Sequence, residues 1–267
     1  MRHSYNRHNP LLKVILALSA VLLVLCLVAG SLAGWFTRAP EPGTARYTVW
    51  CYAKEHGYSL RDYPDSLIEL LERNPETEQF VLEYPFAKNT IHTTDMTPYL
   101  NTDTVPLFMQ WDSRWGYLTY GNDVAGLTAC GPVCLSMAAI YVTDDPAYSP
   151  EAMIRFAAEE GYYVPGSGSS WTLISQGGVK LGLSVTELPL NEGSILRSLE
   201  AGHPVICAMG PGDFTTTGHF IVITGVRDGL FTVNDPNSKT NSEYLWQYAV
   251  IKDQIRNLWS IAPGNTP

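Results

Sequence analysis

The chain has 267 residues, 45% hydrophobic and 11% aromatic, enough to bury a substantial core, which excludes an intrinsically disordered protein. Its formal net charge is -9, and Lys and Arg do not cluster beyond the first residues. No electrostatic footprint for nucleic acid is present.

Residues 1–13 form a short basic tail with Arg2, Arg7 and Lys13. Val14 to Phe36 then run without a charged side chain, long enough at about 1.5 Å per residue to cross a hydrocarbon core of roughly 30 Å. The basic flank orients such a helix with its tail in the cytoplasm and the remainder exported. Two readings of 14–36 stay open. The length of the apolar run favours an uncleaved signal anchor, whereas Ser31, Leu32 and Ala33 offer small residues for a signal-peptide cleavage site. The expected place is therefore the cell membrane with an extracytoplasmic C-terminal domain, or the exterior if the segment is removed.

Residues 37–104 read as a linker and a helical preface. "TRAPEPGTA" has the prolines and glycine of a linker. Leu67, Leu70 and Leu71 follow helical spacing, with Asp65 or Ser66 as cap and Asn74-Pro75 as the break, and a second short helix is expected from Pro75 to Leu82. From Val105 the texture changes, and 105–262 is expected to be the main domain. "VPLFMQWDSRWGY" is dense in aromatics, and the stretch to Leu127 reads as loop. A helix is expected to start with Pro132 at N1 and to end at Asp144-Asp145-Pro146. A second runs from Ser149 as N-cap to Gly161. A third runs from Trp171 to Leu181, then a strand over Leu183 to Leu188, and "NEGSILRSLEAG" is a further helix. "HPVICAMG", "HFIVITGV", "LFTVNDP" and "LWSIA" read as strands. Helices first and antiparallel strands later give an α+β fold class.

The cysteine spacing matches no zinc pattern, since neither a C-x-x-C pair nor H-E-x-x-H occurs, and no metal or cofactor is expected. Cys26 falls in the apolar run. Cys51, Cys130, Cys134 and Cys207 could supply two disulfides in an oxidising compartment.

A thiol attacks as thiolate, and the partial positive charge of a helix N-terminus favours that form. Cys130, in "TACGPVCLSMA", stands at such a place. It needs a base and a group that orients the base. Among six histidines His219 stands apart, because it opens the apolar strand "HFIVITGV" at the mouth of a sheet. A three-residue loop of Arg227, Asp228 and Gly229 would pair Val226 with Leu230 and Ile221 with Asp235, putting Asp235 on the face of His219. A two-residue Asp-Gly turn would place Asp235 on the opposite face. Taken singly, Cys130 also reads as a buried thiol, His219 as a strand end and the Asn-Asp-Pro around Asp235 as an ordinary turn. Cys134, one helical turn beyond Cys130, reads as helix packing, because a disulfide inside an unbroken helix strains the required geometry.

"QWDSRWGY", "ACGPVCLSMA", "GHFIVITGV" and "VNDP" resemble stand-alone relatives of cysteine peptidase family 39, whose best-known members remove leader peptides from bacteriocins. The resemblance spans residues 105 to 262 and implies a papain-like fold. It makes Cys130 the nucleophile, His219 the general base and acid, and Asp235 the orienting group. Gln110 would donate its side-chain amide to the oxyanion beside the backbone N–H of Cys130. In the transporter-linked members the glutamine lies six residues before the cysteine, where this chain has Val124. Gln110 is further back, so the intervening loop must fold away, and a plain hydrogen-bonded core role for Gln110 stays open. The preface resembles segments preceding such domains in exported bacterial proteins, which implies a Gram-positive surface protein near the cell wall. The expected function is hydrolysis of a peptide or protein substrate through a thioacyl-enzyme. The alternatives are a cell-wall peptide amidase or transpeptidase, and a catalytically silent surface binding module.

Overall fold

Residues 14–15, 17–25, 39–90 and 94–264 are described in a computed structural model of the chain. The basic tail 1–13, and residues 16 and 26–36 of the expected membrane span, lie outside them. Residues 14–15 and 17–25 are helical and exposed. Among the described residues no helix is long and apolar enough to cross a membrane.

The preface has three helices: α1 (Ala45–Glu55), α2 (Asp65–Arg73) and α3 (Glu78–Ala87). The expected linker ends in α1, whose N-cap Thr44 accepts a hydrogen bond from the Tyr47 N–H. Leu67, Ile68, Leu70 and Leu71 of α2 are buried, and Asn74-Pro75 breaks the chain into a short 3-10 turn before α3. The helices share one apolar core with Met109, Trp111, Tyr117 and Val124 of the aromatic segment. Phe80 of α3 stacks on Tyr117 at 4.4 Å, and the Tyr117 hydroxyl donates to the Phe80 carbonyl. Gly116 and Gly126 let the Phe80 ring in, since a Cβ at either would lie 2.7 Å or less from it.

The central helix α4 spans Cys130–Thr143 and is buried along most of its length. It starts two residues before the expected position. Pro132 is tolerated inside its first turn because N–H groups there have no intrahelical carbonyl to bond. Asp144, in the left-handed conformation, ends it. Helix α5 (Pro150–Glu159) begins as expected, with the Ser149 hydroxyl accepting from the Ala152 N–H. The segment from Leu173 to Gly177 is a π-helical turn that continues briefly as α-helix over Gly178–Lys180, shorter than expected.

Five antiparallel strands, β1 (Ser184–Glu187), β2 (Val205–Met209), β3 (His219–Arg227), β4 (Leu230–Asn234) and β5 (Ile255–Ala262), form a sheet in the order β1-β5-β2-β3-β4. One face packs on α4 through Ile206, Ala208, Phe220, Val222, Trp259 and Ile261. The other is closed by residues such as Ile195 of helix α6 (Glu192–Glu200), together with Phe214, Trp246 and Ile251. Because both faces are covered, β2 is buried along its length, which explains its continuous apolar run. The result is a mixed fold of helices and an antiparallel sheet. The loop before β3 is an ordered rim: Phe214 packs on Trp246 at 4.4 Å, and Asp213 exchanges hydrogen bonds with the Gln254 side chain.

Candidate active site

Cys130 is the first residue of α4, half-buried and free. No side chain caps this helix, so the orphan N–H groups of its first turn stay available beside the thiol. A small residue is needed next: a Cβ on Gly131 would lie 2.8 Å from Ser169 Cβ and Oγ. Ser169 in turn bonds the buried Tyr120 hydroxyl at 2.8 Å. Burial, opposed by that hydrogen bond but helped by the nearby Cys130, pushes Tyr120 up to about 12, so it stays neutral. Cys134 lies one turn further on, free and fully buried, and burial raises its thiol well above the ordinary value. Cys51 and Cys207 are free as well, so the described residues contain no disulfide.

The hairpin joining β3 and β4 departs from expectation. Arg227 pairs with Leu230, so the turn is the two-residue Asp228-Gly229, both with positive φ. Such a turn alone would send Asp235 to the wrong face. A β-bulge at Thr224 restores the register: Val226 faces Phe231, but Val222 faces Asn234. Continued one step, that register sets Asp235 opposite Ile221 and on the face of His219.

There the His219 Nε2 and the Asp235 Oδ1 are 2.7 Å apart, with the side chains 8% and 1% exposed. Asp235 Oδ1 also accepts the Asn237 N–H at 2.8 Å, and Oδ2 accepts Asn241 Nδ2 at 2.8 Å. Burial alone would raise this carboxyl, but His219 and the donors from Asn241 and Asn237 hold it below the usual range. Burial likewise works against an imidazolium. The Asp235 charge and hydrogen bond overcome it, with a smaller hydrogen-bonding contribution from Cys130, and lift His219 to about 10. With Nε2 committed to Asp235, Nδ1 is the nitrogen left for the thiol.

Gln110 is 4% exposed. Its backbone N–H donates to the Pro236 carbonyl at 2.7 Å and its Nε2 donates to the Gly126 carbonyl at 2.8 Å, so it bridges the Asp235 loop and the turn leading into Cys130. The intervening loop does fold away, through a tight turn at 112–116 and a short hairpin over 119–124. Gln110 Oε1 is buried without a partner, and Nε2 keeps a second N–H beyond the one given to Gly126. Val124, at the position where the transporter-linked pattern has glutamine, is committed to the preface core.

Two supporting residues escaped sequence reasoning. Asn241 belongs to helix α7 (Lys239–Glu243), whose polar run carries no apolar period. Asn234 donates to the Val105 and Pro106 carbonyls, tying the segment before Gln110 to β4. The Ser238 N-cap signal was present in the sequence and marks α7. Among the described residues no group of His, Cys, Asp and Glu is arranged to hold a metal.

A family model described as the Peptidase_C39 like family matches residues 102–265. The chain belongs to this family. Two solved structures are similar to this Peptidase_C39-like chain. The peptidase domain of Streptococcus ComA, described as a bifunctional ABC transporter involved in quorum sensing, is 17% identical, with 60% of this chain and 98% of that chain covered and a TM-score of 0.42. A putative C39-like peptidase from Bacillus anthracis is 13% identical, with 61% and 96% covered and a TM-score of 0.38. No curated protein matches the chain. The preface helices lie before the family match.

Proposed function

We propose that this Peptidase_C39-like chain is a cysteine peptidase of papain-like design that cleaves peptide bonds through a thioacyl-enzyme. The observation that carries the reading is the buried 2.7 Å pair of His219 and Asp235 with the Cys130 thiol as the ring's other neighbour, at the start of a 14-residue helix. His219 carries its proton on Nδ1 at neutral pH, so the Cys130 thiol loses its own proton to solvent beside an imidazolium, and the thiolate attacks the substrate carbonyl. The oxyanion takes the backbone N–H of Cys130 and the free N–H of Gln110. The proton on Nδ1 then goes to the leaving amine, forming the thioester. Water attacks that thioester, His219 takes its proton back onto Nδ1, and the acid is released as the thiolate leaves beside the imidazolium. Asp235 fixes the ring's tautomer and stabilises the imidazolium.

The apolar segment from Val14 to Phe36 supports placing this activity outside the cell, tethered to the membrane. Peptide or protein at the cell surface is the substrate class this placement makes available. The test is turnover of a diverse peptide pool by the full chain, read by mass spectrometry. Cleavage by the wild type that is abolished in Cys130→Ala supports the reading. Cleavage retained in that variant, or none in the folded wild type, overturns it.

A further inference from the structure

Glu76 sits in the turn between α2 and α3, before the family match, yet its carboxylate reaches the Asp235 loop. It accepts the N–H groups of Lys239 and Thr240 at 2.7 and 3.2 Å, the Thr240 hydroxyl at 2.8 Å and the Ser238 hydroxyl at 3.3 Å. The two N–H groups are among those that the start of α7 leaves without an intrahelical partner. Although burial disfavours its charge, these donors hold Glu76 below its ordinary pKa. Next to it, Asn74 Nδ2 donates to the Asn237 carbonyl at 2.6 Å, and the Trp111 indole donates to the same oxygen at 3.0 Å.

Apart from the Ser238 hydroxyl that accepts the Asn241 N–H and the Trp246 indole that donates to the Asn241 carbonyl, helix α7 has little of its own to hold it in place. It is five residues long and buries none of them, so neither propagation nor packing stabilises it. What it carries matters to the site: Asn241 donates to Asp235 Oδ2, and the Ser242 hydroxyl accepts the Asp235 N–H at 2.9 Å. A continuous set of hydrogen bonds thus runs from Glu76 through α7 and Asn241 to Asp235 and His219.

We propose that Glu76 is a positioning residue of the active site: by capping α7 it keeps Asn241 on the Asp235 carboxylate, and so makes the preface part of the apparatus that orients His219. The proposal rests on the Cys130–His219–Asp235 reading for its consequence in catalysis, and on the hydrogen bonds alone for the orientation.

The experiment uses the full chain in detergent with Cys51→Ser, which removes the exposed thiol. Iodoacetamide alkylation of Cys130 is followed across pH in the parent, Glu76→Gln, Asn241→Ala and the double variant. The expected result is a loss of about 10- to 100-fold in the rate near neutral pH for Glu76→Gln. In the Asn241→Ala background the same substitution should add little, because the two act along one path. A rate for Glu76→Gln equal to the parent, or a loss of equal size in both backgrounds, overturns the proposal. If Glu76→Gln does not fold, Thr240→Val, at an exposed position that donates to Glu76, replaces it with the same criteria.

If the parent's Cys130 reacts no faster than a free model thiol, the peptidase reading falls. The positioning claim is then decided by the proton NMR signal of His219 Nε2–H. A signal displaced or lost in Glu76→Gln sustains the claim, and one identical to the parent, or absent from the parent, overturns it.

Discussion

The Asp235 carboxylate accepts three hydrogen bonds while almost completely buried, and the proposed mechanism depends on that single group being held. Asp235→Asn keeps the shape but removes the charge that sustains the imidazolium. Steady-state peptide hydrolysis should show a fall in kcat of about 10²- to 10⁴-fold with the fold intact by circular dichroism. Gln110→Ala should lower kcat by about 10²- to 10³-fold with little change in KM if its free N–H meets the oxyanion. A Gln110 side chain that only braces the Gly126 carbonyl would instead cost stability and leave kcat in place. The titration of His219 has a stability consequence. The native ring binds its proton up to about pH 10, whereas the unfolded ring releases it near its ordinary value of 6.5. Between these values the native state holds more protons, so stability falls as pH rises through that window. Denaturant unfolding between pH 6 and 10 should show a steeper decline for the wild type than for His219→Gln.

Among the elements, the β3–β4 hairpin shows how legible the sequence was and where it was not. Local patterns marked α2, α5 and α6 and the four long strands, because caps, prolines and apolar periods agree there. The pairing of His219 with Asp235 was anticipated from a three-residue loop. The protein reaches it with a two-residue turn and a bulge at Thr224. A bulge has no sequence marker as strong as Asp-Gly, so the compensation could be seen only in three dimensions. Helices α1 and α7 were missed because their sequences lack a clear apolar stripe. The start of α4 was displaced because Pro132 reads as N1, although any position in the first turn accepts proline. The contact between Gly131 and Ser169 gives a prediction at this scale. In Gly131→Ala the new methyl must displace the 168–169 strand or the start of α4, costing about 1–3 kcal/mol, and calorimetry should register a lower Tm together with reduced Cys130 alkylation.

Across the whole molecule, the preface and the family-matched region share a core, and the rings of Phe80 and Tyr117 sit at their junction. Phe80→Ala should cost about 3–5 kcal/mol by opening a cavity between Gly116 and Gly126, which thermal unfolding would detect. A chain beginning at residue 94 would expose Met109, Trp111 and Tyr117 and leave α7 without Glu76. It should be recovered as aggregate, whereas one beginning at residue 39 should stay soluble. The central claim is that Cys130 is activated by His219, and Cys51 supplies an internal standard because it is an exposed, free thiol on the same chain. The most direct measurement is the iodoacetamide rate at Cys130 relative to Cys51 at pH 6, read by peptide mapping in the wild type and in His219→Ala. The account predicts faster labelling of Cys130 in the wild type, falling to the level of Cys51 or below in the variant. Equal rates at the two cysteines in the wild type, or a Cys130 rate indifferent to His219, would contradict it.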